Sequence, residues 1–111
     1  MPRPLSRDTF HILVALADRD RHGYSIMQDI EHRTGGEVRL SPSSLYSAIK
    51  RLLESGFIEE LQDRPDPEHD DERRRYYRIT DEGRQAAVEE ARQLHRLLSD
   101  ARSAGLIPKR I

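Results

Sequence analysis

The sequence has no cysteine and no tryptophan among its 111 residues. The lack of cysteine excludes a disulfide scaffold and a cysteine-based zinc site. No apolar run approaches the roughly 18 residues that a membrane-spanning helix requires. Met1–Arg7 also lacks the apolar core that is typical of a signal peptide. Together these absences predict a cytoplasmic protein with no membrane partner.

Apolar residues are scarce as well. Hydrophobic and charged side chains each make up 35% of the chain, whereas roughly 45–50% apolar residues are usual in a globular protein. A single domain of this length still buries roughly two thirds of its unfolded surface. The composition therefore predicts one modest core together with long exposed helices or a charged arm.

The net charge of −1 hides an uneven distribution of charged residues. Residues 59–72 contain eight acids and one arginine, whereas residues 73–78 contain four arginines and no acid. A protein surface that binds DNA requires only local positive charge, so the net charge does not exclude a nucleic-acid partner.

Helical periodicity predicts two helices near the N-terminus. The first spans Arg7–Asp18, because Ser6 is a good N-cap and apolar residues then recur at helical spacing. The polar stretch Asp20–Gly23 is interpreted as a turn. A short second helix ends at Gly35-Gly36, where glycine favours a C-terminal cap, and its apolar face carries Tyr24, Met27 and Ile30.

The strongest helix signal in the chain starts at Ser41-Pro42. Serine is a preferred N-cap, and proline fits the first helical turn, where its missing N–H is not needed. Gly56 marks the end, so that the third helix spans Pro42–Ser55. Its apolar stripe consists of Leu45, Ile49, Leu52 and Leu53.

Two strands, Phe57–Leu61 and Tyr76–Thr80, are predicted to form a β-hairpin. The joining segment Asp63–Glu72 contains two prolines and six acids, which predicts a long polar loop. Phosphate groups repel such a loop, so either its tip is expected to lie clear of a DNA backbone or the loop is expected to be disordered without DNA. A divalent-metal site at His69–Glu72 is disfavoured, because its ligands are adjacent and no second cluster follows.

The last helix is predicted to begin after Thr80, which is its N-cap, and to end at Gly105 and Pro108. Its apolar positions are spaced four and three residues apart, which is a heptad-like stripe: Ala87, Ala91, Leu94, Leu98 and Ala101. A monomer would leave part of this stripe exposed, which predicts a homodimer with Phe10 and Leu13 of the first helix also in the interface. The alternative is that the last helix folds back onto the first.

The order of elements is helix, helix, helix, hairpin and long helix. This order predicts a mainly α protein with a small β-hairpin, namely a winged helix-turn-helix with a C-terminal dimerisation helix. Residues 1–80 would form the DNA-binding domain and residues 81–111 the dimerisation helix and tail, as one compact unit. Two recognition helices related by a dimer axis predict a pseudo-palindromic site on double-stranded DNA.

The outer face of the third helix supplies the predicted DNA-reading residues. It carries hydroxyl and cationic groups with no carboxylate before Glu54: Ser43, Ser44, Tyr46, Ser47, Lys50 and Arg51. In the hairpin, at least one arginine of Arg73, Arg74 and Arg75 is expected to contact DNA. The alternatives are an ordinary solvated helix face, and arginines that pair with Asp70, Asp71 and Glu72.

Several short stretches also occur in a characteristic order and spacing: His22-Gly23-Tyr24, Leu40–Tyr46, Lys50-Arg51-Leu52, Gly56-Phe57-Ile58 and Arg73–Gly83. They resemble the PadR family of bacterial transcriptional regulators, and the last helix fits its short subfamily with one C-terminal dimerisation helix. The resemblance implies a homodimeric repressor that is released by a small-molecule effector, with Tyr24 on the DNA backbone. The family often has glycine in place of Ser43. Some members of the family bind flat drugs between tryptophans at the dimer interface. That binding mode does not apply to this chain, because it has no tryptophan.

An enzyme is not predicted, and no cofactor is expected. The serines of the third helix lie near no acid–base pair of recognisable spacing, and the five histidines are scattered. The competing hypothesis is a winged-helix module that binds proteins and has lost DNA binding. Such a module would not require Lys50 or the Arg73–Arg75 run.

Overall fold

A computed structural model describes residues 5–62 and 75–107. The elements in chain order are α1 (Arg7–Asp18), β1 (Arg21–His22), α2 (Gly23–Arg33), α3 (Pro42–Glu54), β2 (Ile58–Glu60), β3 (Tyr76–Ile79) and α4 (Asp81–Ser103). This order confirms the predicted winged helix-turn-helix. The predictions for the acidic loop, for His69–Glu72 and for Arg73 and Arg74 fall outside the described residues.

The side chain before each helix accepts a backbone N–H of the first turn. Ser6 accepts the N–H of Thr9 at 3.2 Å, and Ser41 and Thr80 serve α3 and α4 in the same way at 3.1 Å. These three caps were predicted from the residue types. The cap of α2 is His22, whose Nδ1 accepts the N–H of Ser25 at 3.1 Å, and histidine is not among the usual capping residues.

The predicted turn at Asp20–Gly23 is wrong. Arg21 and His22 form β1, which pairs antiparallel with β3 so that they lie opposite Tyr77 and Tyr76. The sheet therefore has three strands in the order β1-β3-β2, of which the predicted hairpin supplies β2 and β3. A strand of two residues is too short to show alternation, and its partner lies far away in the sequence.

The core lies between the helices and the inner face of the sheet, and α1 contacts α2, α3, α4 and β3. Its largest fully buried side chains come from the three N-terminal helices: Ile12, Leu13, Leu16, Ile26, Ile30, Leu45 and Leu52. Leu53 was expected in the apolar stripe of α3, but it is 38% exposed. It follows Leu52 by one residue and is thus rotated about 100° around the helix.

Helix α4 changes its environment along its length. Its first turn packs so tightly that a Cβ added to Gly83 would lie 2.0 Å from the carbonyl oxygen of Phe57. Ala87 packs against the core. Residues 91–100, by contrast, are all exposed. The C-terminal half of α4 is therefore without cover from the rest of the described chain.

Candidate nucleic-acid interface

One face of α3 is exposed and polar, and we call it the reading surface: Ser43, Ser44, Tyr46, Ser47, Lys50 and Arg51. The opposite face is buried in the core through Leu45, Ala48, Ile49 and Leu52. All six residues of the reading surface are thus accessible, as the helical period predicted. Their contact with DNA stays a prediction.

The serines at the start of α3 differ in what their hydroxyl groups do. The hydroxyl of Ser41 accepts the N–H of Ser44 and donates to the hydroxyl oxygen of Ser44, both at 3.1 Å. The Ser44 hydroxyl is thereby part of the cap. Ser43 and Ser47 are exposed beside it, and they offer hydroxyl groups that serve no cap within the described residues.

Aromatic rings lie in a row beside the reading surface. Tyr24 of α2 is 55% exposed and stacks on His22, with ring centroids 6.5 Å apart and planes 6° from parallel. The edge of Tyr76 in β3 meets His22 at 5.2 Å. The predicted backbone-contacting Tyr24 therefore has a defined orientation, set by β1 and β3.

Exposed cations lie on the reading surface and on the segments that precede α3 and β3. Lys50 and Arg51 are exposed and form no ion pair with another described residue. Arg75 is the one predicted hairpin arginine that the structure describes, and its Nε lies 3.7 Å from Glu60 with 74% of the side chain exposed. Arg39, which sequence reasoning missed, is 72% exposed just before α3 and lies 3.4 Å from Glu31. Exposed pairs of this kind are weak, so phosphate can compete for both arginines.

Arg21 connects the elements that hold α2 in place. Its Nε donates to the carbonyl oxygen of Ala15 at 3.0 Å, and Nη1 donates to the hydroxyl of Ser25 at 3.1 Å. Its Nη2 lies 3.0 Å from Asp18 and 3.1 Å from Asp29. The end of α1, β1 and the start of α2 are therefore linked by one guanidinium, whose partners only the tertiary fold brings together.

Arg78 on β3 forms an ion pair with an acidic residue of the same chain. Its guanidinium donates to both carboxylate oxygens of Asp20, with Nη2 at 3.0 Å from Oδ2. The hydrogen bond and the charge of Asp20 raise the pKa of Arg78, and Glu59 across the sheet adds to the effect. This ion pair lowers the availability of Arg78 for phosphate, and the local sequence gave no sign of it.

An open groove of about 550 Å³ lies between α2 and the segment that precedes α3. It is lined by Tyr24, Met27, Gln28, Glu31, His32 and Leu40. Within residues 5–62 and 75–107, no three His, Cys, Asp or Glu side chains are grouped so that they could hold a metal ion. None of the helices described there has the length and apolar character needed to cross a bilayer.

The predicted dimer residues have accessible surface, with one exception. Leu94 and Leu98 are 38% and 42% exposed, Ala91 is exposed, and Phe10, Ala87 and Ala101 are partly buried. Leu13, however, is 0% exposed in the core of its own chain. It has no free surface for a partner, so its expected place in the interface is wrong. Leu97, which is 63% exposed, extends the same face of α4.

Comparison with known proteins identifies the family to which this arrangement corresponds. The family model of the Transcriptional regulator PadR-like family matches residues 12–89. Protein X of Lysinibacillus sphaericus, whose function is not characterised, is 34% identical over 73 residues, which cover 66% of this chain and 64% of that protein. A 37.1 kDa protein of transposon TN4556 in Streptomyces fradiae is 36% identical over 86 residues, which are 78% of this chain but only 22% of that protein.

Solved structures share the fold. A transcriptional regulator from Clostridium thermocellum aligns with a TM-score of 0.72 at 27% identity, over 91% of this chain and 90% of that one. A PadR family transcription regulator from Clostridium difficile aligns with a TM-score of 0.74 at 21% identity, over 88% and 97%. The likeness therefore extends along most of both chains and includes the start of α4.

Proposed function

This chain belongs to the PadR-like family of transcriptional regulators, and we propose that it is a homodimeric repressor of a pseudo-palindromic DNA operator. Its family consists of transcriptional regulators, which supports the proposal of a DNA-binding transcription regulator and not an enzyme. The dimer, the repressor role, the operator symmetry and release by an effector are parts of the proposal.

The reading surface is the observation that supports DNA recognition most directly. An α-helix fits the major groove, where hydroxyl and cationic groups can meet base edges and phosphates. The exposed residues of α3 from Ser43 to Arg51 include Lys50 and no carboxylate. The acid that follows, Glu54, lies at the end of the helix. The charge of this face therefore favours an anionic partner such as DNA over a basic protein surface.

Phosphate contacts on both sides of α3 would fix its orientation in the groove. We assign them to Tyr24 on α2, which stacks on His22, and to the hairpin arginines Arg73, Arg74 and Arg75. Of these arginines, the position of Arg75 supports the assignment. Its side chain is largely exposed, and among the described residues its one ion pair is the long contact with Glu60. The aromatic row would keep Tyr24 in place before DNA arrives.

The C-terminal half of α4 supports the homodimer. Leu94, Leu97 and Leu98 are exposed and continue the face on which Ala87 packs against the core. A second copy of α4 would bury this stripe and place two reading surfaces on one side of the dimer, as operators with two half-sites require. Phe10 and Ala101, both partly buried, would contribute at the margins.

The remaining part of the proposal is a small-molecule effector that releases the operator. The open groove beside Tyr24 and Leu40 supports it. Leu40 immediately precedes the cap of α3, so a molecule in the groove would contact both the proposed backbone-contacting tyrosine and the start of the reading helix. Binding there would therefore be coupled to DNA affinity.

The double variant Tyr46→Ala/Lys50→Ala tests the reading surface. Both side chains are exposed, so the variant is expected to fold and to weaken DNA binding by at least about tenfold. Loss of a phosphate-contacting cation should also reduce the salt slope of binding by about one. Fluorescence anisotropy would measure both, with a labelled duplex selected from random DNA by the wild-type chain.

Val88→Ala is the matched control, because Val88 is 52% exposed on α4, away from the reading surface. It should bind the duplex as the wild type does. If the double variant kept the wild-type affinity and salt slope, the assignment of α3 would be wrong. If the wild type selected no duplex at all, the winged-helix module that binds proteins would be favoured instead.

A further inference from the structure

Gly23 is a buried glycine at the first position of α2, between the cap His22 and the exposed Tyr24. It is not among the glycines with positive φ, which are Gly35, Gly36, Gly56 and Gly105. Its backbone conformation is therefore open to any residue. The conformational freedom of glycine does not explain why this position lacks a side chain.

Space explains it. A Cβ added at Gly23 would lie 2.7 Å from the hydroxyl oxygen of Tyr46, 3.2 Å from its Cζ and 3.3 Å from its Cε1. The first distance is shorter than carbon–oxygen packing allows. The end of the Tyr46 ring therefore rests on the bare backbone of α2, in the volume that a side chain at residue 23 would occupy.

This contact joins two elements of the proposed DNA surface. Tyr46 belongs to the reading surface of α3 and remains 53% exposed, so one end of its ring touches Gly23 while much of the ring faces solvent. A tyrosine has two side-chain torsions, and it loses little conformational entropy when it is held. A contact at the tip of the ring is thus enough to fix its direction.

We propose that Gly23 is a seat that positions the Tyr46 ring for contact with DNA. Gly23 is then a positioning residue: it acts through Tyr46 and touches no base. This inference rests on the proposed function, because it assumes that the reading surface meets DNA. It adds a structural cause for the orientation of one reading side chain, supplied by a neighbouring helix.

Gly83 provides the contrast that makes the seat testable. A Cβ at Gly83 would meet the backbone of Phe57, with the carbonyl oxygen at 2.0 Å and the carbonyl carbon at 2.8 Å. Backbone atoms cannot move aside, so Gly83→Ala must disturb the packing of α4. The three atoms nearest to a Cβ at Gly23 all belong to the tip of the half-exposed Tyr46 side chain, which can rotate into solvent. Alanine also favours helix over glycine.

Gly23→Ala is therefore expected to fold with a melting temperature at or above that of the wild type. It should weaken binding of the wild-type-selected duplex about tenfold, because Tyr46 is displaced. Gly83→Ala is expected to lower the melting temperature. Circular dichroism melting and fluorescence anisotropy with the same labelled duplex would separate the two effects.

Tyr46→Phe supplies the second test, because it removes the oxygen nearest to the new methyl group. The remaining ring atoms, at 3.2 and 3.3 Å, need to give by only a few tenths of an ångström. Gly23→Ala should therefore weaken DNA binding less in the Tyr46→Phe background than in the wild type. An equal loss in both backgrounds would show that Tyr46 does not transmit the effect and would overturn the proposal.

A measurement on the free protein tests the contact between Gly23 and Tyr46 independently of the proposed function. In aromatic ¹H–¹³C NMR spectra of the free protein, Gly23→Ala should shift the Tyr46 ring signals and leave those of Phe57, which lies beside Gly83, in place. Unshifted Tyr46 signals would overturn the seat even if the wild type selected no duplex. Shifted signals with wild-type DNA affinity would overturn its role in reading DNA.

Discussion

Apolar side chains in the N-terminal body and in the C-terminal half of α4 lie in opposite environments. Ile12 and Leu45, on α1 and α3, are 0% exposed, whereas Leu94 and Leu97 on α4 are 38% and 63% exposed. Both regions are helical, and both carry apolar residues at helical spacing. The difference lies in what faces each stripe, because α1 and α3 face each other and the sheet.

This contrast shows that a helical stripe predicts a buried face but not which molecule buries it. The face of α4 is one continuous surface, which starts against the core at Ala87 and runs on into solvent. Helices gain most of their stability from packing and not from propensity. In the proposed function a second copy of the chain buries the exposed part of this face, so variants of α4 and of the N-terminal body should have different effects.

The largest effect is expected from Leu94→Glu/Leu98→Glu on the exposed stripe. The double variant would bring four carboxylates, two from each protomer, into the interface. They would repel each other and cost desolvation, so the dimer should dissociate at micromolar concentration. The fold of each protomer should persist, because both side chains are exposed in the single chain. Size-exclusion chromatography with light scattering would report the mass.

Val88→Glu is the matched control for this pair, since Val88 is 52% exposed and lies about 120° around the helix from Leu94. It should leave the dimer intact. A wild-type chain that is monomeric at micromolar concentration, or a double variant that stays dimeric, would remove α4 from the proposed interface.

A smaller effect is expected in the body from Arg21→Met. The side chains of Arg21 and Asp29 are each 12% exposed. Removal of the guanidinium breaks this largely buried ion pair and leaves the Asp29 carboxylate with Arg33 as its remaining cation. Because Arg33 compensates part of the loss, the free energy of unfolding should fall by about 1–3 kcal/mol. Urea denaturation followed by circular dichroism would measure it.

Arg19→Met is the control for Arg21→Met, because both arginines pair with Asp18. Arg19 is 71% exposed, and its one ion pair with a described residue is 3.4 Å long, so its loss should cost less than about 0.5 kcal/mol. Equal costs for the two variants would contradict the role assigned to Arg21 in holding α2.

The smallest effect concerns Tyr77 on the inner face of the sheet. Burial raises the pKa of Tyr77 above its ordinary value of 10.0, and the charge of Glu60 adds to this. The native state therefore binds the phenolic proton more tightly than the unfolded chain does. The associated stability is fully present below pH 10 and is lost as the pH rises through the folded-state pKa.

Tyr77→Phe should accordingly lose less stability than the wild type between pH 9 and pH 11, in urea titrations at each pH. Tyr24→Phe, at a position that is 55% exposed, serves as the control and should follow the wild type. A wild-type chain and a Tyr77→Phe variant with the same pH dependence would refute the linkage.

Local signals in the sequence predicted most of the fold. Capping residues and apolar spacing gave α1 as Arg7–Asp18, as observed, and gave α3 one residue longer than Pro42–Glu54. They failed where a long-range contact decides the structure. β1 exists because β3 pairs with it, and His22 caps α2 although histidine is an unusual capping residue.

At the candidate site, too, local signals predicted some features and long-range contacts decided the others. Helical period alone predicted that Tyr46 and Lys50 face outward from α3. The period does not show that Tyr46 rests on Gly23, because that contact depends on how α2 and α3 pack. Leu13 was misplaced for a related reason: its position on α1 is apolar in either environment, and only the packed core shows that it is 0% exposed.

Selection of bound duplexes from a random DNA pool tests the central claim most directly. The wild-type chain is predicted to enrich an inverted repeat whose half-sites are about one helical turn of DNA apart. Leu94→Glu/Leu98→Glu should recover at most a single weak half-site. A wild-type chain that enriches no motif would contradict DNA reading by α3, and one that enriches an unrepeated motif would contradict the dimer.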